Sequence, residues 1–386
     1  MGDTVVMNGL GNIIAVASPF DDATNGRDSG SIRIYQSVND VWTQLGSTIV
    51  GDNVDDRWGF STMAMNEEGT VLAVGTPYHS ISTALDDIGL VKVYGFSSGD
   101  WSQIGASIEG GDEHELGFSV SLSNDGTMLA VGLPGKDGVE PDGSSSNGVG
   151  FAHIYQNQNN NWVQVGEIQG EQQGDRVGTT VVLNGDGTVA AMASEEHNPD
   201  ITGADTGYIV LYNCGDNGVW SKVGEKILGV TSSGDRFGTA VALCDDATIV
   251  AGGSPSADTN GSRSGQVRIF ELQNGAWAQI GNVIDGEESS NNSGEWIAMT
   301  DDGSMVAIAA TLNDAEETGS VGHIRTYRNA AGMWTQVGTD LDGLDRLEDF
   351  GRSVKLSRDG SILAAGAPRA DNAGTSSGEA RVFELL

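Results

Sequence analysis

The chain has 386 residues, with 54 Asp and Glu against 19 Lys and Arg, a formal charge of −35. A chain this negative repels phosphate backbones and anionic lipid, which excludes nucleic-acid binding, and no apolar run approaches the ~18 residues of a membrane span. Two cysteines, Cys214 and Cys244, are too few for a disulfide framework or a cysteine-built zinc site and read as unpaired small residues.

Along the chain one unit recurs with a period of roughly sixty residues, the signature of a repeat array. Each copy opens with Gly and a short alternating run, at Gly2, Gly59, Gly117, Gly178, Gly238, Gly294 and Gly351, spaced by 57, 58, 61, 60, 56 and 57 residues. A turn follows, as in Asn124-Asp125-Gly126, Gly185-Asp186-Gly187, Asp301-Asp302-Gly303 and Arg358-Asp359-Gly360. Asp-Gly between two apolar runs is a strong hairpin signal. The second strand is a continuous apolar run such as Thr127–Gly132. The third begins at Gly and reaches an aromatic five residues later: Gly30/Tyr35, Gly89/Tyr94, Gly150/Tyr155, Gly207/Tyr212, Gly265/Phe270, Gly322/Tyr327 and Gly378/Phe383. The fourth carries Trp-x-(Gln/Lys)-x-Gly, at Trp42, Trp101, Trp162, Trp220, Trp277 and Trp334.

In the first strand, large Val120 and Leu122 alternate with small Ser119 and Ser121, and Val241 and Leu243 with Ala240 and Ala242. A sheet covered on one side would place charges at the second set. Small residues there mean that both faces are covered, one at close range, as in wedge-shaped blades around an axis. No stretch shows the helical i, i+3, i+4, i+7 stripe. The expectation is a single all-β domain, a seven-bladed β-propeller with four antiparallel strands per blade, at 1–58, 59–116, 117–177, 178–237, 238–293, 294–350 and 351–386. The last blade lacks its outermost strand, which we expect to lie beyond Leu386 in a longer polypeptide, with Met1 an added start.

The assembled unit resembles the FG-GAP repeats of integrin α-subunit propellers, in particular those of secreted algal and bacterial proteins. Phe237-Gly238 and Phe350-Gly351 open units. Gly366-Ala367-Pro368, Gly75-Thr76-Pro77, Gly132-Leu133-Pro134 and Gly253-Ser254-Pro255 follow second strands. The resemblance covers the whole chain and implies an extracellular or cell-surface binding module. One departure is chemical. The integrin-type Ca²⁺ loop in the first hairpin is here cut to Asn124-Asp125-Gly126 or its like, too poor in oxygens for the 6–8 ligands that Ca²⁺ takes.

Other candidate sites lie in the loops joining second and third strands. Asp21, Asp22 and Asp28 in Pro19–Gly30, Asp258 in Ser256–Ser262, and Asp371 in Ala370–Thr375 offer hard oxygen ligands to Ca²⁺. The same residues also stabilise turns without any metal. The Trp series suits a sugar-stacking platform, but its even spacing favours packing between blades. Asp56-Arg57, Asp175-Arg176 and Asp235-Arg236 read as repeated ion pairs rather than a ligand grip. Asn260 and Asn291 head weak glycosylation sequons. The five histidines, His79, His114, His153, His197 and His323, show no pairing in sequence, and no nucleophile elbow, phosphate loop or His-Glu-x-x-His occurs. The expectation is therefore a non-enzymatic adhesion module, monomeric, part of a larger surface or matrix protein, with a protein or glycan partner. A multivalent lectin is the alternative.

Overall fold

The computed structural model describes residues 1–386 except 61, 81–86, 112, 140–144, 198–204, 231–233, 314–320, 345, 372–376 and 386. No helix occurs among the described residues, so none is long and apolar enough to cross a membrane. Among the described residues the strands form seven successive antiparallel blade sheets and one two-stranded ribbon, Gly138–Val139 with Ser145–Ser146, and the fold is an all-β seven-bladed β-propeller. In the third sheet the order is Val120–Leu122, Met128–Leu133, Phe151–Asn157 and Trp162–Gln169, each strand hydrogen-bonded to the next. The seventh holds three strands among the described residues, Val354–Leu356, Ile362–Ala367 and Glu379–Glu384. Second strands are the most enclosed, with Ile13–Ser18, Val189–Ser194 and Met305–Ala310 buried throughout. That is why they read as unbroken apolar runs.

The chain divides into two compact units. Asp3–Ala190 with Cys214–Trp220 makes one, which we call the N-terminal unit, and Met1–Gly2, Ala191–Asn213 and Ser221–Leu386 make the C-terminal unit. In each, the apolar clusters span neighbouring blades: Ile32 and Ile34 pack with Trp58 and Leu72 in the first, and Val267 and Ile269 with Ile308 and Trp334 in the second.

The sequence tokens have physical causes within these units. In the Gly-x-Pro token, a Cβ added at Gly132 would stand 1.9 Å from the carbonyl oxygen of Gly178, the opening glycine of the next blade. Gly253 meets Gly294 in the same way at 2.0 Å, and Gly366 meets Gly2 at 2.1 Å. The two glycines let adjacent backbones touch, and any side chain would force them apart. The tryptophan tokens interlock likewise. Trp101, Trp162, Trp277 and Trp334 donate their indole N–H to the carbonyls of Leu45, Ile104, Val223 and Ile280, at 3.0, 3.2, 2.8 and 3.2 Å. Each acceptor directly precedes the glycine that ends the previous blade's token. These four tryptophans are thus packed between blades.

In the first hairpins a carboxylate holds the turn. Asp125, Asp186, Asp246, Asp302 and Asp359 each accept the backbone N–H two residues on, at 2.9 to 3.0 Å. These bonds favour the ionised form, and Asp359, bonded foremost by the hydroxyl and N–H of Ser361, is held at about 2.

Candidate functional site

A row of cations on the third strands escaped the sequence reading. The residue two before each terminal aromatic is Arg33, Lys92, His153, Val210, Arg268, Arg325 or Arg381. Five of the chain's 19 Lys and Arg stand in this row, which makes it architectural rather than accidental. Where the linker supplies an aromatic, the cation covers it: Lys92 over Trp58 at 5.1 Å, Arg268 over Phe237 at 4.2 Å and Arg381 over Phe350 at 5.1 Å. The strand's own aromatic meets the same ring edge-on, at 6.1 Å for Tyr94, 6.1 Å for Phe270 and 6.0 Å for Phe383. The signal was present as Gly-x-x-(Arg/Lys)-x-aromatic.

Acids pair with four of the row's five cations, and the fifth, Arg268, donates to the Leu228 carbonyl at 2.9 Å. Arg381 forks onto the fully buried Glu348 with two bonds of 2.8 Å. Arg33 pairs with Asp21 at 3.2 Å, and Lys92 pairs with Asp52. Two of the Asp-Arg tokens also end in ion pairs, Arg176 with Glu115 at 2.7 Å and Arg236 with Glu195 at 3.4 Å. Beside Arg57, the buried Asp56 holds His79 Nδ1 at 2.8 Å, and this hydrogen bond, stronger than the opposing desolvation, raises the imidazole's pKa.

Features shared by all blades hold the scaffold. Departures from the repeat are where chemistry is expected; the fourth blade puts apolar Val210 in the row, and the third and sixth depart with a histidine. In the third, His153 replaces the row's Arg or Lys, and Lys136 from the preceding loop supplies the cation, 4.1 Å over Phe151. His153 Nε2 lies 2.9 Å from Glu167 and 3.1 Å from Lys136 Nζ, with Nδ1 3.2 Å from the Tyr155 hydroxyl. Burial, then the Lys136 charge, pushes this imidazole down to about 4.

The sixth blade departs further. His323 begins the third strand, where the other blades place Ser31, Leu90, Phe151, Tyr208, Gln266 and Glu379. Asp340 stands on the outer strand Met333–Asp342, four residues after Gln336, whose amide donates to it at 2.6 Å. Glu287 comes from the linker after Ile284–Asp285. Ligand-type atoms of Glu287, His323 and Asp340 all lie within 4.8 Å of one another, and among the described residues this is the group of His, Cys, Asp and Glu that assembles. Arg325 bridges its two carboxylates, pairing with Glu287 and lying 2.7 Å from Asp340. Any cation held there would compete with that guanidinium. His323 is 4% exposed, and among the described residues its ring forms no hydrogen bond. Burial, then the Arg325 charge, holds it neutral down to about pH 4. Its carboxylate neighbours remain partly open to solvent, 46% for the Glu287 side chain and 30% for Asp340.

The proposed Ca²⁺ aspartates are not brought together as a group. Asp22 accepts the Asp28 N–H at 3.0 Å, and Asp258 accepts the Arg263 N–H at 2.7 Å, so both close their own turns. Asp21 takes the Ser31 hydroxyl at 2.6 Å as well as Arg33. Asp371 is described, while 372–376 of its loop lie outside the described residues. Asn291 is buried, and the Asn260 amide donates to the Gly286 carbonyl at 2.8 Å. Both cysteines are unpaired.

No protein-family model matches the chain, and no curated protein matches it. Among solved structures the fold is similar to that of "a putative 6-phosphogluconolactonase from Bacteroides uniformis ATCC 8492", with a TM-score of 0.60 over 97% of this chain and 96% of that one. Identity is 12%, and the likeness is one of fold. The finding overturns the expectation of a non-enzymatic adhesion module and its lectin alternative. That expectation took the scaffold itself as a reason against catalysis, yet the same scaffold carries an enzyme's name. It also assumed unpaired histidines, whereas His79, His153 and His323 each meet carboxylates that lie 23, 14 and 17 positions away in sequence.

Proposed function

We propose that the chain is a hydrolase opening a lactone or comparable ester, with its reaction centre in the sixth blade. The observation that carries this reading is His323, a neutral, buried imidazole without a hydrogen bond to its ring, set beside two carboxylates. A free imidazole nitrogen is a base, and adjacent carboxylates stabilise the imidazolium it becomes. In the reaction, His323 takes a proton from water as the oxygen bonds to the carbonyl carbon. The ring C–O bond then breaks, and the proton passes to the departing alkoxide. Arg325 fixes Glu287 and Asp340 in place, and against the opposing desolvation its hydrogen bond lowers the Asp340 pKa.

Lactonase chemistry enters from the name of the Bacteroides protein. Charge argues for a different substrate from the one in that name. At −35 the chain repels a sugar phosphate at long range, and Arg325 is already committed to two carboxylates. An uncharged sugar lactone is the better fit. The finer repeat assignment, FG-GAP, is supported by Phe237 and Phe350, which stand fully buried beneath their arginines.

The test is turnover of glucono-1,5-lactone against its 6-phosphate. The uncharged lactone is expected to be preferred, and His323→Ala to lower kcat by roughly a hundredfold or more, the scale of a general base. The acid limb of the rate profile is expected at about pH 4 rather than near the ordinary histidine value. Unchanged turnover in His323→Ala would refute the assignment.

A further inference from the structure

We propose that the first and second blades hold a binding site for a planar aryl carboxylate, centred on Arg57. The repeat shows what Arg57 lacks. Its counterpart Arg236, two residues before an opening glycine like Arg57 itself, pairs with Glu195 at 3.4 Å and Glu196 at 4.0 Å. Those acids directly follow the second strand Val189–Ser194. After the second strand Ile13–Ser18 of the first blade, the same two positions hold Pro19 and Phe20. Arg57 therefore meets a ring where Arg236 meets carboxylates, its guanidinium lying 5.6 Å over Phe20. Among the described residues the Arg57 side chain forms no hydrogen bond and no ion pair, and its Nε is buried without a partner. A buried donor left unpaired is costly, so an acceptor brought from outside gains what the chain does not supply.

Rings continue outward from Phe20. Phe60 meets it at 5.9 Å with the planes 75° apart, and Tyr78 meets Phe60 at 6.1 Å and 54°. Phe20 is 56% exposed, and Phe60, Tyr78 and Arg57 are half-buried. Solvent thus reaches three tilted rings and the guanidinium beside them on one surface.

That combination selects its ligand. A guanidinium takes both oxygens of a carboxylate, and tilted rings take a flat apolar body by face and edge. Of the four side chains only Tyr78 carries a hydroxyl, so the many hydroxyls of a sugar acid would find few partners. Electrostatics set the orientation. Burial, then the Glu115 charge, raises the Tyr78 pKa, which marks the Tyr78 end as unfavourable to an anion. The carboxylate therefore sits at Arg57, with the ring directed toward Phe60 and Tyr78. A monoanion also meets less of the long-range repulsion of the −35 charge than a phosphate ester does.

The probe is trans-cinnamate, titrated into the full chain and followed by ligand-observed NMR. Saturable binding is expected, about tenfold weaker or more for cinnamamide, which has the same ring without the charge. Arg57→Gln is expected to weaken cinnamate by a similar factor and to leave cinnamamide unchanged, while Phe20→Ala weakens both. Arg263→Gln, at an exposed arginine outside the site, is expected to change neither. Because the acid and the amide are compared on the unaltered chain, they decide the matter even if Arg57→Gln fails to fold. No saturable binding, equal binding of acid and amide, or binding of glucuronate as tight as that of cinnamate overturns the proposal. So does an equal loss in Arg263→Gln, which would mean that any surface cation serves.

Discussion

Ala247 shows how strictly the repeat constrains single positions. The hairpin residue after Asp is left-handed in the five blades that have that Asp: Gly126, Gly187, Gly303 and Gly360 have φ of 68° to 73°, and Ala247 in the fifth blade has 56°. An L-residue there costs roughly 1 kcal/mol relative to glycine. Ala247→Gly is therefore expected to stabilise the chain by about 1 kcal/mol in urea unfolding. Three positions earlier, Cys244 accepts the Ile249 N–H at 3.0 Å, the role Asn184 fills with Val189 at 2.7 Å. The Asp-Gly turns were legible in sequence because such a turn needs a short side-chain acceptor and a left-handed residue. His323 was not legible. Its partners lie on a linker and on an outer strand, and no local pattern announces a meeting between elements this far apart.

Among the strands, the tryptophan token separates burial from hydrogen bonding. Trp220 Nε1 is buried with no hydrogen-bond partner, unlike Trp101, Trp162, Trp277 and Trp334. The cause is visible one blade earlier. The third sheet's outer strand runs unbroken through Gly166, with an irregularity opposite at Ile154/Tyr155, and Gly166 lacks the positive φ of Gly46, Gly105, Gly224 and Gly281. Trp101→Phe leaves the Leu45 carbonyl without its indole donor and is expected to cost about 1 kcal/mol more than Trp220→Phe, which loses no bond. Equal losses in chemical denaturation would contradict that account. Period and token together made the blades readable. The cation row was overlooked because Arg and Lys at one position, with His and Val among them, look like surface variation until the linker aromatics are seen beneath them.

For the molecule as a whole, acid is the informative perturbation. Both His153 and His323 have folded-state values of about 4, below the ordinary histidine value, because burial disfavours their charged forms. The unfolded chain binds their protons first. Their contribution to stability is thus intact above about pH 6.5 and is lost as pH falls toward 4, by roughly 3 kcal/mol for each. His79, raised by Asp56, acts in the opposite sense and loses its contribution as pH rises through its folded value. Protonating carboxylates also relieves the self-repulsion of the −35 charge, so absolute melting curves mix several effects. The difference between wild type and His323→Gln isolates one of them. Measured by thermal melts, the variant is expected to gain on the wild type steadily between pH 6.5 and 4. A constant offset would mean that His323 is not the group titrating.

Each of the first five blades ends its outer-strand token in a glycine shaped for the indole of its successor, and that successor brings the indole. Joints between neighbours are therefore nearly interchangeable, and a unit copied or shuffled by recombination meets a fitting surface wherever it lands. Such a scaffold can lengthen, exchange or specialise one member without refitting the others. In this chain the sixth blade has kept its joint to the fifth while setting a buried imidazole beside two carboxylates, Glu287 and Asp340.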